Sequence, residues 1–161
     1  DWNDLYNFDD DENDANYDNN TTQNESVNAV QSDNVAYEKE VLNLVNAERA
    51  KQNLAPLTWN EDLANIARAH SKDMIERNFF SHTNPDGESP FDRFDNAGLT
   101  YHHAAENIAA GQPTPEEVMD SWMNSEGHRA NILNPNLKEL GVGYIKGGYY
   151  GCYWTQCFIT K

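Results

Sequence analysis

The last 24 residues, KELGVGYIKGGYYGCYWTQCFITK, constrain the fold most. Two extended runs flank Gly147-Gly148, a pair suited to a hairpin turn. A strand with one wet face alternates apolar and polar residues, whereas these runs are almost continuously apolar or aromatic. The pattern predicts a hairpin covered on both faces. The remainder of the chain must supply the cover.

Helical periodicity supplies candidates. YEKEVLNLVNAERAKQNL places Val41, Leu44, Val45 and Glu48 at helical spacing. In NEDLANIARAHSKDMIERN, Asn60 is an N-cap candidate followed by acids, and Leu63, Ile66, Ala67, His70 and Met74 form one stripe. Ser89-Pro90 reads as N-cap and first position of a short helix to about Asn96, after the turn signal Asn84-Pro85-Asp86-Gly87. TPEEVMDSWMNSE opens another helix, with Thr114 as N-cap and Glu117 at the third position of a capping box.

Charge divides the chain. Residues 1–34 carry ten acids and no Lys or Arg; residues 35–161 carry seventeen acids against eleven bases. The first segment is rich in Asn and Asp and poor in branched apolar residues, so ordering it would cost more than burial returns. It is expected to be a disordered acidic tail or spacer, with one domain over 35–161. DDDENDANYDNN offers hard oxygen ligands but lacks the glycine and terminal Glu of a calcium loop. A net charge of −16 argues against nucleic acid and anionic membrane surfaces as partners. No run of about 18 apolar residues would span a bilayer, and no signal peptide is visible. Cys152 and Cys157, five apart on one strand, would sit about 16 Å apart on opposite faces. A disulfide needs Cα atoms within about 7 Å, so two buried thiols are expected.

SWMNSEGHRANIL places Glu126 on the Val118/Trp122 stripe, with His128 two residues on. On a continuing helix the two would diverge by about 200°. They converge only if the helix stops, and Gly127 is the residue expected to stop it. Glu106 is flanked by alanines and Ile108. A carboxylate in apolar surroundings needs a cation or donor, and His82 is a candidate. Independent exposure of each residue is the alternative reading. His70, on an apolar face, reads as a hydrogen-bonded core histidine or as a cavity liner.

The stretches VNAERAKQNLAPLTWNEDLANIARAHSKDM, FFSHTNPDG, AENIAAG, SWMNSEGHRANILNP, LGVGY and YWTQCF resemble the CAP superfamily. That superfamily includes the cysteine-rich secretory proteins, the antigen 5 proteins and the pathogenesis-related proteins of group one. The chain is most similar to its short bacterial branch. The resemblance spans about 38–159 and implies an α/β (α+β) fold, a three-layer α-β-α sandwich around a small, mainly antiparallel sheet. It also implies a tetrad of His82, Glu106, Glu126 and His128 around a central cavity. The chain departs from the eukaryotic members: the insertion between second glutamate and second histidine is reduced to Gly127, and their cysteine-rich C-terminal extension is absent.

Three functions follow as expectations. In the first, a binding module, the four tetrad residues hold zinc or another divalent cation, and a small apolar ligand such as a lipid or sterol binds as well. In the second, a metal-dependent hydrolase, Glu106 or Glu126 is the general base. HExxH, G-x-S-x-G and a placed cysteine nucleophile are all missing from the sequence. In the third, a protein or cell-surface partner binds the surface and the tetrad is vestigial. Tyr144 and Trp154 are candidate cavity liners, although aromatics at strand spacing more often pack the sheet. An extracellular monomer, secreted or surface-held, is expected from the resemblance and from the start on Asp1 instead of Met.

Overall fold

The computed structural model describes residues 20–161, with side chains from residue 32. Residues 1–19, with most of the expected tail and of the weighed calcium stretch, lie outside the described residues. The elements run α1 (Asn20–Lys51), β1 (Thr58–Trp59), α2 (Glu61–Glu76), α3 (Pro90–Asn96), β2 (His103–Ala110), α4 (Pro115–Met123), α5 (Glu126–Ile132), β3 (Glu139–Lys146) and β4 (Cys152–Thr160). The compositional boundary at 34/35 falls inside α1. No Pro or Gly interrupts 20–34, so the packed helix can propagate toward its N-terminus.

The sheet has the order β1-β3-β4-β2. β3 and β4 form an antiparallel hairpin, β2 pairs antiparallel with β4, and the two-residue β1 adds in parallel to β3. The hairpin connection is longer than Gly147-Gly148. It runs through Gly151 and closes with Gly147 N–H on the Gly151 carbonyl at 2.9 Å. The hairpin is covered on both faces. Leu140, Val142, Tyr144, Trp154 and Phe158 pack with Val41 and Val45 of α1, Val118 and Trp122 of α4, and Ile132 of α5. Cys157 and Ile159 face Leu63 and Ala67 of α2 and Phe94 of α3, while Tyr153 meets Met74. The architecture is a three-layer α-β-α sandwich.

Two glycines bring α2 close to the sheet. A Cβ on Gly141 would overlap the backbone of Leu63 and Ala64, and one on Gly143 that of Ala67 and Arg68. Three caps form at the expected residues. Asn60 accepts from Leu63 N–H, Ser89 from Asp92 N–H, and Thr114 from Glu117 N–H. The reciprocal capping box is completed at Ser89–Asp92. At α4 the Glu117 carboxylate instead accepts from the Thr114 hydroxyl. Cys152 and Cys157 are free and buried.

AENIAAG, whose secondary structure the periodicity leaves open, is the edge strand β2. Its residues alternate: Glu106 faces the α2/α3 layer and Asn107 the α4/α5 layer. The strand sits at the boundary between the two helical layers, and the candidate site is built around it.

Candidate functional site

Glu106 is buried on β2, with its side chain 1% exposed. The Arg93 guanidinium of α3 donates from Nη1 to Oε2 at 2.8 Å and from Nη2 to Oε1 at 3.0 Å. His82 Nδ1 lies 2.9 Å from Oε1, and the Cys157 thiol donates to Oε2 at 3.7 Å. Burial alone would raise the Glu106 pKa; the hydrogen bonds from His82 and Arg93 and the Arg93 charge outweigh it, so the carboxyl lies below its ordinary value. Glu106 is thus an ionised carboxylate whose two oxygens are fully engaged.

A carboxylate only accepts, so His82 donates through Nδ1–H, and Nε2 is the ring nitrogen left free of Glu106. The ring is nearly half exposed, at 48%. The loop beneath it is tied down twice. Arg93 Nη2 donates to the His82 carbonyl at 2.8 Å, and His70 Nε2–H donates to the Ser81 carbonyl at 2.8 Å. His70 is buried with its ring edge-on to Phe79, and burial holds its pKa down. It serves as an anchor for the FFSH loop and lies in the lining of a cleft of about 570 Å³.

The other two tetrad residues sit on α5. The helix does stop before Glu126, but Gly127 does not stop it. α4 ends at Asn124, whose amide returns to the Asp120 carbonyl at 2.9 Å. Ser125 is extended, and Glu126 opens a second helix that contains Gly127. Residues 126 and 128 therefore diverge on one helix: Glu126 is exposed to solvent, and His128 is half-buried beside β2. The sequence expectation of a buried Glu126 is corrected by this geometry. His128 Nδ1 is buried without a hydrogen-bond partner among the described residues. Burial first, and then the charge of nearby His82, lower the His128 pKa.

The structure therefore joins His82 and Glu106 directly, brings His128 within reach of the His82 charge, and leaves Glu126 in solvent. Tyr144 and Trp154 are core residues on the α1/α4 side, with ring centroids 4.2 Å apart and the indole N–H donated to the Gln112 carbonyl. Among the described residues, no three His, Cys, Asp or Glu side chains are grouped to hold a metal ion. The residues fit a divalent ion only in part. Glu106 is committed to Arg93 and His82, which leaves the two imidazoles as donors.

Two largely enclosed arginines are not evident from the sequence. Arg93 is one. Arg49 is the other: fully buried, it donates to the carbonyls of Ile132 and Asn134 at 2.9 Å each and of Ala55 at 2.8 Å. Its cation meets the carbonyl end of α5, where the helix dipole is negative. The available signal was indirect: a buried Glu106 demands a cation, and Arg93 lies on a capped helix beside apolar Phe94.

The sequence and the fold match a family. The model of the cysteine-rich secretory protein family (CAP) matches residues 42–158, and the chain belongs to that family. The chain is 56% identical over 126 residues to YkwD of Bacillus subtilis strain 168, covering 78% of this chain and 48% of YkwD. It thus spans about half the length of that relative. Among solved structures it is similar to an extracellular SCP-domain protein of Bacillus anthracis, with a TM-score of 0.72 and 37% identity over 80% of this chain and 41% of that one. A cysteine-rich secretory protein of Staphylococcus aureus follows, with a TM-score of 0.65 and 26% identity over 80% of this chain and 39% of that one.

Proposed function

We propose that this CAP domain is an extracellular binding module that presents two neutral imidazoles to a divalent cation, with the remaining coordination supplied from outside the domain. The observation that carries the reading is the Glu106–His82 hydrogen bond: a carboxylate accepts from Nδ1–H, which leaves Nε2 as the nitrogen available to an ion. His128 supports it, since burial lowers its pKa and favours the neutral imidazole. Glu106 acts as the orienting partner of His82. A carboxylate locked by Arg93 and held below its ordinary pKa is a weak proton acceptor, which favours binding over hydrolysis. An ion on two imidazoles alone is under-coordinated, since even catalytic zinc keeps three protein ligands. Such a site suits a ligand or partner that brings its own donor. The extracellular setting draws on the description of the Bacillus anthracis relative. Among the described residues, no helix is long and apolar enough to cross a membrane.

Calorimetric titration of zinc at pH 7.5 tests the reading. Wild type should bind and His82→Ala/His128→Ala should not. Equal heats in both, or none in either, would refute it.

A further inference from the structure

Asn107 follows Glu106 on β2 and points to the opposite face of the sheet. It is fully buried and both ends of its amide are engaged. Nδ2 donates to the His128 carbonyl at 3.1 Å and to Gln156 Oε1 at 3.0 Å, and Oδ1 accepts from Asn131 Nδ2 at 2.9 Å. Asn131 Nδ2 also reaches the Glu106 carbonyl at 3.4 Å. α5, which carries both His128 and Asn131, is a seven-residue helix whose N-cap Ser125 makes no side-chain cap bond. A helix that short has almost no stability of its own. Arg49 holds its C-terminal end. At the His128 end, the bonds from β2 all pass through Asn107 or the neighbouring Glu106 carbonyl.

We infer that Asn107 is the positioning residue of the second imidazole. The adjacent pair Glu106-Asn107 yokes both histidines to one strand, His82 by its ring and His128 by its main chain. A β-strand turns neighbouring side chains to opposite faces, so two consecutive residues are the shortest means of tying the loop of one helical layer to a helix of the other. Asn suits the position because one amide donates to the His128 carbonyl and Gln156 Oε1 while accepting from Asn131. The inference rests on the two-imidazole reading for its consequence in ion binding, and on geometry alone for its consequence in α5.

The test uses Asn107→Asp, which keeps the shape and removes both donors, and Asn131→Ala, which removes the orienting contact from the α5 side. Amide hydrogen exchange on metal-free protein should show the protection of residues 129–133 falling at least about tenfold, with α1 and α2 unchanged. Zinc affinity should fall about 10- to 100-fold, as for other residues that orient a ligating histidine. Unchanged α5 protection in folded Asn107→Asp overturns the inference, as does loss of protection spread evenly over the core. If that variant does not fold, Asn131→Ala decides by the same readouts. If wild type takes up no zinc, the two-imidazole reading fails, and the positioning role is still decided by α5 exchange.

Discussion

Arg93 closes on both oxygens of Glu106, at 2.8 and 3.0 Å, and its Nη2 also holds the main-chain carbonyl of His82. One guanidinium thus neutralises a buried carboxylate and fixes the loop whose histidine that carboxylate orients. Removing one partner of such a pair leaves an uncompensated buried charge. Arg93→Met should cost about 3–5 kcal/mol in urea unfolding, while Arg93→Met/Glu106→Leu should recover a substantial part of it. A single variant as stable as wild type would show that the pair contributes nothing.

Acid should destabilise the domain in two windows. His70 and His128 have folded pKa values below the ordinary 6.5, burial being the main cause in both. The unfolded chain therefore takes up protons first, and stability falls as pH drops below 6.5 toward the folded values. Glu106 is depressed below 4.5. Its contribution is present above 4.5 and is lost as pH falls further, through its folded value. Melting temperatures between pH 7.5 and 3.5 should decline through both ranges, and His70→Gln should flatten the first. A melting temperature that rises between pH 7 and 5.5 would contradict this.

Arg49 should matter as much as any apolar core residue. Arg49→Met takes the guanidinium donors from the buried carbonyls of Ile132 and Leu137, at about 1–3 kcal/mol for each buried group left unsatisfied, and breaks the part-buried bonds to Ala55 and Asn134 as well. The total should reach about 3 kcal/mol or more, and hydrogen exchange should place the loss first in α5. A cost under about 0.5 kcal/mol in chemical denaturation, the range of ordinary surface substitutions, would show that the carbonyls find water instead.

Gly143→Ala tests the close approach of α2 to β3. The added methyl would overlap the backbone of Ala67 and Arg68, which cannot turn aside as a side chain can. Overpacking costs typically about 1–3 kcal/mol, and this site should lie at or above the upper end. A neutral effect on the urea midpoint would mean that helix and strand separate freely.

Much of this architecture is legible in the sequence because local chemistry and tertiary structure agree there. Asn60, Ser89-Pro90 and Thr114-Pro115 cap helices that the periodicity places, and the hairpin and its two unpaired thiols follow from apolar runs and strand spacing. What stayed hidden depends on distant partners. β2 is Ala-rich, with Ile108 as its one β-branched residue, and is a strand because β4 pairs with it. The α4–α5 break is made by the Asn124 side chain and an extended Ser125, where glycine was the expected signal. Arg49 and Arg93 read as surface cations until the carbonyls and the carboxylate that receive them are known. Glu38 is similar: it accepts from Arg68 and from Tyr144 N–H at 3.0 Å, on the stretch of β3 beyond the two residues paired with β1.

The most direct measurement is the tautomer of His82, read from long-range ¹H–¹⁵N correlation spectra of metal-free protein at pH 7.5. The Glu106 hydrogen bond predicts the tautomer protonated on Nδ1, with Nε2 bare. A ring protonated on Nε2 would leave no lone pair to present, and the two-imidazole reading would fall with it.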